Sequence, residues 1–200
     1  MDQSPAIGDL VLDSIRATFR GQKAFAERAI VQLDDEQLRT SLDENTNSVA
    51  VIMKHMAGNM LSRWTDFLTS DGEKPWRDRD REFEDDFPSR QAVLDYWERG
   101  WACLLATVDR LTADDLARSV AIRGEPLRVI TALDRQVSHY GYHVGQIVLI
   151  ARVLCRDQWT VLTVARGESQ AYNRRVWRSP SQQQPGQQQQ QGQQQHGQQQ

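Results

Sequence analysis

Val137-Ser138-His139-Tyr140-Gly141-Tyr142-His143-Val144-Gly145-Gln146-Ile147 lies inside the longest stretch of helical periodicity in the chain. Extended both ways, Leu127, Ile130, Leu133, Val137, Tyr140, Val144, Ile147 and Ala151 recur at three and four residues, one stripe of an α-helix. Pro126 is expected in its first turn, where a missing N–H is harmless, and the helix should run to about Leu154. Gln136, His139, His143 and Gln146 form a polar stripe beside the apolar one. The four-residue spacing sets His139 and His143 on one face, about 5–6 Å apart at Cβ, so both rings can reach one cation.

Three more segments read as long helices: Gly8 to Leu33, from Asn47-Ser48 to about Leu68, and from Pro88-Ser89 to Leu111. In the first, Leu12, Ile15, Phe19, Ala26, Ile30 and Leu33 share a stripe. The second carries Val49, Ile52, Met53, Met56, Met60, Trp64 and Phe67, and the third Val93, Trp97, Trp101, Leu104 and Val108. Alternation of period two is confined to Thr160–Val164. The expected fold class is all-α, a four-helix bundle.

With 39% hydrophobic residues in 200, the chain suits one domain, expected over residues 6–177. From Ser181 onward it is almost entirely Gln, with nothing apolar to offset the entropy of ordering, so residues 178–200 are expected to be a disordered tail. A net charge of −3 gives no polycationic bias toward nucleic acid or an anionic membrane. Cys103 and Cys155 form no Cys-x-x-Cys, so neither a disulfide framework nor a zinc ribbon is indicated. The first residues lack a basic and an apolar region, and no run of about 18 apolar residues exists. A cytoplasmic protein acting on a small molecule, with neither nucleic acid nor membrane as partner, is expected.

Leu33 to Leu38 and Leu111 to Leu116 share the frame Leu-x-x-acid-x-Leu, each followed by a serine (Ser41, Ser119) and then a histidine-bearing helix. This looks like a duplicated helix pair. The connection between the pairs, Thr69 to Pro88, is long for a bundle, and a crossover there would let the second and third helices run parallel. Within it, Asp71–Asp86 holds four basic and eight acidic residues. The alternating charge predicts a solvated, self-paired loop. A lid, with Trp76 and Phe83 packed down over a pocket, is the other reading.

His55, on the second helix, faces two readings: a hydrogen-bonded structural side chain, or a third metal ligand with His139 and His143. The remaining histidine, His196, lies in the Gln-rich tail. Gly58, Asn59 and Ser62 near His55, and the polar stripe on the fourth helix, suggest a polar cavity whose buried groups need partners. Neutral imidazoles suit zinc, nickel, iron or copper, and three protein ligands leave a position open, the catalytic pattern. No His-Glu-x-x-His supplies a protease's general base. Asn59 and Gln146 are candidates to orient ligands or substrate, or else simply line the cavity wall. Trp64, Trp97, Trp101 and Tyr142 are expected in the core.

These residues resemble the DinB-like (YfiT-like) family, in which one histidine on the second helix and a His-x-x-x-His pair on the fourth bind a metal. The matching segments are Met53-Lys54-His55-Met56-Ala57-Gly58-Asn59-Met60-Leu61-Ser62-Arg63-Trp64, Asp71-Gly72-Glu73-Lys74-Pro75-Trp76, His139 to Gln146, Trp159 to Thr163 and Arg166 to Ser169. Val164-Ala165 stands where the pattern has Ile-Pro. The resemblance implies a bundle with a crossover between helix pairs, a homodimer, and His55, His139 and His143 as ligands of a divalent transition metal: zinc, nickel or iron. It further implies kinship with transferases that use low-molecular-weight thiols, whose pKa near 8.5 metal coordination overcomes. A thiol-dependent S-transferase or related hydrolase is the expected activity. The alternative is a non-enzymatic stress-response bundle whose metal is structural.

Overall fold

The computed structural model describes residues 6–177; the expectations for the Gln-rich tail and His196 fall outside the described residues. The described chain is mainly helical, with one two-stranded sheet. Its described residues divide into two units, 6–160 and 161–177.

The first unit contains four long helices: α1 (Ile7–Ile30), α3 (Val49–Trp64), α4 (Arg90–Arg110) and α5 (Val129–Cys155), with the short α2 (Asp35–Arg39) between α1 and α3. Ser48 and Ser89 cap α3 and α4, each side chain accepting from a backbone N–H three residues on. The repeated Leu-x-x-acid-x-Leu frames both become capped turns. Asp34 and Gln37 close a capping box on α2, and Thr112 and Asp115 close one on a 3-10 turn, Ala113–Ala117. The second unit contains α6 (Ser169–Trp177). No helix among the described residues is long and apolar enough to cross a membrane.

Side-chain contacts fix the directions of the long helices. Thr107 donates to the Trp64 carbonyl, and Gly100 lies so close to Ala57 that a Cβ there would meet the Ala57 backbone at 2.7 Å. α3 and α4 therefore run the same way, as a crossover allows. α1 and α5 also run together, with Gln22 on the Val137 carbonyl and the Cys155 thiol on that of Gln32. α1 opposes α4: Arg16 reaches the carbonyls of Val108 and Leu111, while Arg90 reaches those of Ile30 and Leu33. Between these helices sit Phe19, Met56, Met60, Trp64, Trp97, Trp101, Leu104, Leu133 and Tyr140, all fully buried. Each such side chain contributes about 1.5–3 kcal/mol of burial, and Trp97 and Trp101 meet edge to face at 5.5 Å.

The sequence reading needs correction at four places. Pro126 is not in a helix: β1 (Ser119–Ile122) pairs antiparallel with β2 (Glu125–Arg128), and α5 starts only at Val129. The hairpin turns on Arg123 and Gly124, both with positive φ (57° and 78°), the backbone a two-residue primed turn requires. The Asp71 carboxylate accepts from both of their N–H groups at 2.8 and 2.7 Å. A residue some fifty positions away thus stabilises a turn whose own sequence is a weak signal. α3 stops at Trp64 rather than near Leu68, because Thr65 turns extended and Asp66 adopts a φ of 48°. Tyr142 is 63% exposed and forms no part of the core. Thr160–Val164 forms no strand.

Candidate metal centre

α3 and α5 bring the three histidines together. His55 lies in the second turn of α3, a helix buried on nearly every side, and is itself 4% exposed. His139 and His143 occupy successive turns of α5. The Nε2 of His139 stands 3.4 Å from that of His55 and 3.1 Å from that of His143, and one ligand atom from each residue lies within 4.8 Å of the others. Ligand nitrogens on a tetrahedral zinc, with bonds of about 2.0–2.1 Å, are about 3.4 Å apart. The His55–His139 and His139–His143 pairs already stand near that spacing.

The opposite ring nitrogens explain this convergence. His55 Nδ1 donates to Glu82 Oε2 at 2.9 Å, His143 Nδ1 to Gln146 Oε1 at 2.8 Å, and His139 Nδ1 to Gln136 Oε1 at 3.4 Å. Carboxylate and amide oxygens only accept, so each Nδ1 carries the proton and each Nε2 of a neutral ring presents a lone pair. Such outer partners fix tautomer and ring orientation at metal sites. Without a cation between them the three lone pairs face one another unrelieved.

Burial keeps the two rings on α5 neutral. Burial, reinforced by the neighbouring His143 and His55, lowers the His139 pKa to about 3. Burial likewise lowers that of His143 to about 4, against its hydrogen bond to Gln146, which acts to raise it. At neutral pH both are in the form that binds a metal.

Glu82 comes from the Thr69–Pro88 connection, where a 3-10 turn, Asp80–Phe83, packs on α3. Its carboxylate is gripped by Arg77 through two bonds of 2.7 and 2.8 Å. Burial acts to raise the Glu82 pKa, but hydrogen bonds from Arg77 and His55 outweigh it and hold the carboxyl below its usual range. The Phe83 ring stacks on His55 with centroids 4.9 Å apart, whereas Trp76 stays 59% exposed. Lys54 pins the end of the segment by donating to the carbonyls of Arg81 and Glu84 and to Asp86. The expected self-pairing is present, in Arg77 with Glu73 and Glu82 and Arg81 with Glu84 and Asp86, but the segment is not solvated throughout. The segment supplies a buried carboxylate to the site and one of the two aromatic covers expected of a lid.

Gln146 and Asn59 differ. Gln146 orients His143 and also donates to the Tyr142 hydroxyl at 3.0 Å. Asn59 makes no hydrogen bond to a histidine: its Oδ1 accepts from the buried Tyr140 hydroxyl, which itself accepts from Trp64 Nε1, and the side chain lines the cavity beside the histidines. Glu82, Arg77, Gln136 as a partner of His139, and Arg63 were not legible as site residues. Two signals were present: Gly58, three residues beyond His55 in a helix of bulky side chains, and Arg63 in the same apolar helix. A Cβ on Gly58 would land on the Glu82 carboxylate, so the glycine is what admits that side chain.

Fold and site together define a mainly helical protein with a three-histidine group that could hold a metal ion. Residues 6–168 match the family described as "Protein of unknown function (DUF1572)", and the chain belongs to that family. No curated protein matches the chain.

Proposed function

We propose that the protein is a metal-dependent enzyme of the DinB-like (YfiT-like) kind, a four-helix bundle with a long crossover, in which His55, His139 and His143 bind a divalent transition metal. One observation carries this reading: each histidine Nδ1 is engaged by an acceptor oxygen while the three Nε2 atoms converge. A catalytic role is favoured over a structural one because structural sites are closed by four protein ligands. Here the group has three members, and a cavity of about 150 Å³ opens beside His55 and His139.

When bound, such a metal supplies a water or thiol deprotonated at neutral pH. The chain's own residues do the rest. Glu82, Gln136 and Gln146 hold the rings, Arg77 holds Glu82, and Phe83 covers one face of His55. A low-molecular-weight thiol is the proposed co-substrate of an S-transfer reaction, with hydrolysis as the related chemistry. A cytoplasmic homodimer is part of the same proposal.

The test is the metal content of protein purified without chelators, compared with His139→Ala. About one ion per chain in the wild type and none in the variant is expected; a wild type without stoichiometric metal sinks the proposal. Chelation then separates enzyme from structural site. A structural metal's binding energy is folding energy, so its removal should lower the melting temperature greatly. An enzymatic site should lose turnover of thiol plus an epoxide or halide electrophile and keep most of its stability.

A further inference from the structure

The cavity beside the histidines is walled by arginine. Arg63, Arg77, Arg79, Arg123 and Arg135 line it together with His55, Asn59, Gln136 and His139, and no carboxylate does. Two of these cations are already neutralised. Arg77 is paired with Glu82 and Glu73, and Arg123 with Glu73. Among the described residues, no acidic side chain stands within ion-pair distance of Arg63, Arg79 or Arg135.

Arg63 is the unusual member. It sits in the last turn of α3, is 3% exposed, and its Nε and Nη1 are buried without a hydrogen-bond partner. Burial pulls its pKa below the ordinary value, and the nearby charges of Arg77 and Arg135 act in the same direction; Tyr140 and Glu73 oppose them. A guanidinium still cannot shed its proton in a protein. Buried charges are normally paired, because an unpaired one gives up hydration for nothing. A buried guanidinium with idle donors on the wall of a cavity therefore lacks a partner that the protein itself does not supply. Planar, forked donors of this kind match the two oxygens of a carboxylate or phosphate.

We infer that this cavity binds the oxyanion group of a small-molecule substrate, a carboxylate or a phosphate, held by Arg63 from within and by Arg135 at the exposed rim. The metal-centre reading is needed only to place the substrate's reacting end at the histidines; anion binding itself rests on the arginines. The net-acidic Thr69–Pro88 segment fits this picture, since its Arg77 and Arg79 line the cavity and its Glu73 and Glu82 are spent on ion pairs.

The experiment is titration of the full-length protein with inorganic phosphate and, separately, malonate in low-chloride buffer. Melting temperature and binding heat are read for the metal-loaded wild type and for metal-free His139→Ala. Saturable binding is expected in both, and the probe that binds tighter identifies the class of head group. Arg63→Met should abolish the anion-induced shift while the anion-free melting temperature stays level or rises, because an unpaired buried charge has gone. Should Arg63→Met fold poorly, Arg135→Gln decides, since its side chain is exposed. It should weaken binding at least fivefold with metal content unchanged. Saturation by neither probe, or undiminished binding in Arg135→Gln and in a folded Arg63→Met, overturns the inference. A wild type that binds anion through Arg63 but takes up no metal keeps this inference and discards the metal-centre reading. A metal-loaded wild type that binds neither anion does the reverse.

Discussion

His55 and Glu82 stand 27 residues apart in the chain, yet His55 Nδ1 and Glu82 Oε2 are 2.9 Å apart, with both side chains only 6% exposed. This contact ties the loop between the helix pairs to the histidine centre. It also sets which ring nitrogen of His55 is free.

Glu82→Gln keeps an acceptor for His55 but removes the charge that Arg77 neutralises. Losing one partner of a buried ion pair should destabilise the fold by about 3–5 kcal/mol. Losing an outer partner of a ligating histidine should weaken metal binding by about 10–100-fold. Competition against a chromophoric chelator measures the second effect, and urea unfolding the first. Unchanged metal affinity would mean that Glu82 only props the loop.

Gly58→Ala offers a test by sign. Replacing a helical glycine by alanine ordinarily stabilises by about 1 kcal/mol. At this position the added methyl would occupy the Glu82 carboxylate's place. The variant should therefore be less stable than the wild type and bind metal more weakly. A rise in melting temperature with metal binding intact would show that Glu82 does not depend on that close approach.

The pH dependence follows from the two depressed histidines. In the unfolded chain their pKa is about 6.5, whereas in the fold His139 is at about 3 and His143 at about 4. Between these limits the unfolded state binds more protons, so stability of the metal-free protein rises with pH. Acid should erode that stability from about pH 6.5 downward until the folded-state values are passed. Denaturant midpoints from pH 4 to 8 measure the slope, which should be shallower in His139→Gln. Equal slopes in the two proteins would refute the assignment.

Lys54→Met removes the cation that gathers the carbonyls of Arg81 and Glu84 and the carboxylate of Asp86. Hydrogen bonds to charged groups are each worth about 1.5–3 kcal/mol, so the Asp80–Phe83 turn should loosen. Faster amide exchange across residues 80–86, with α1 and α5 unchanged, is the expected result. Uniform protection would show that Phe83 and Glu82 hold the turn unaided.

Much of the fold was legible because it depends on local period. The stripes of α1, α3, α4 and α5 come from side chains three and four apart, and Ser48 and Ser89 mark two of the starts. The hairpin was not legible. Val120, Leu127 and their neighbours are too few to show alternation, and the turn at Arg123-Gly124 is held by Asp71 from elsewhere. Pro126 and Leu127 accordingly looked like a continuation of α5.

What the sequence by itself determined is what neighbours along one helix decide: His139 and His143 on a shared face, Gln136 and Gln146 each three residues from one of them, and His55 within a buried apolar helix. What only the tertiary structure decided is everything carried by long-range charge pairing. A stretch of alternating Asp, Glu and Arg can satisfy itself in water, and nothing in its order says which members will be drawn inside. Packing of the loop on α3 selected Glu82 for His55 and Arg77 for Glu82. It left Arg63 charged, buried and without a hydrogen-bond partner for its Nε and Nη1.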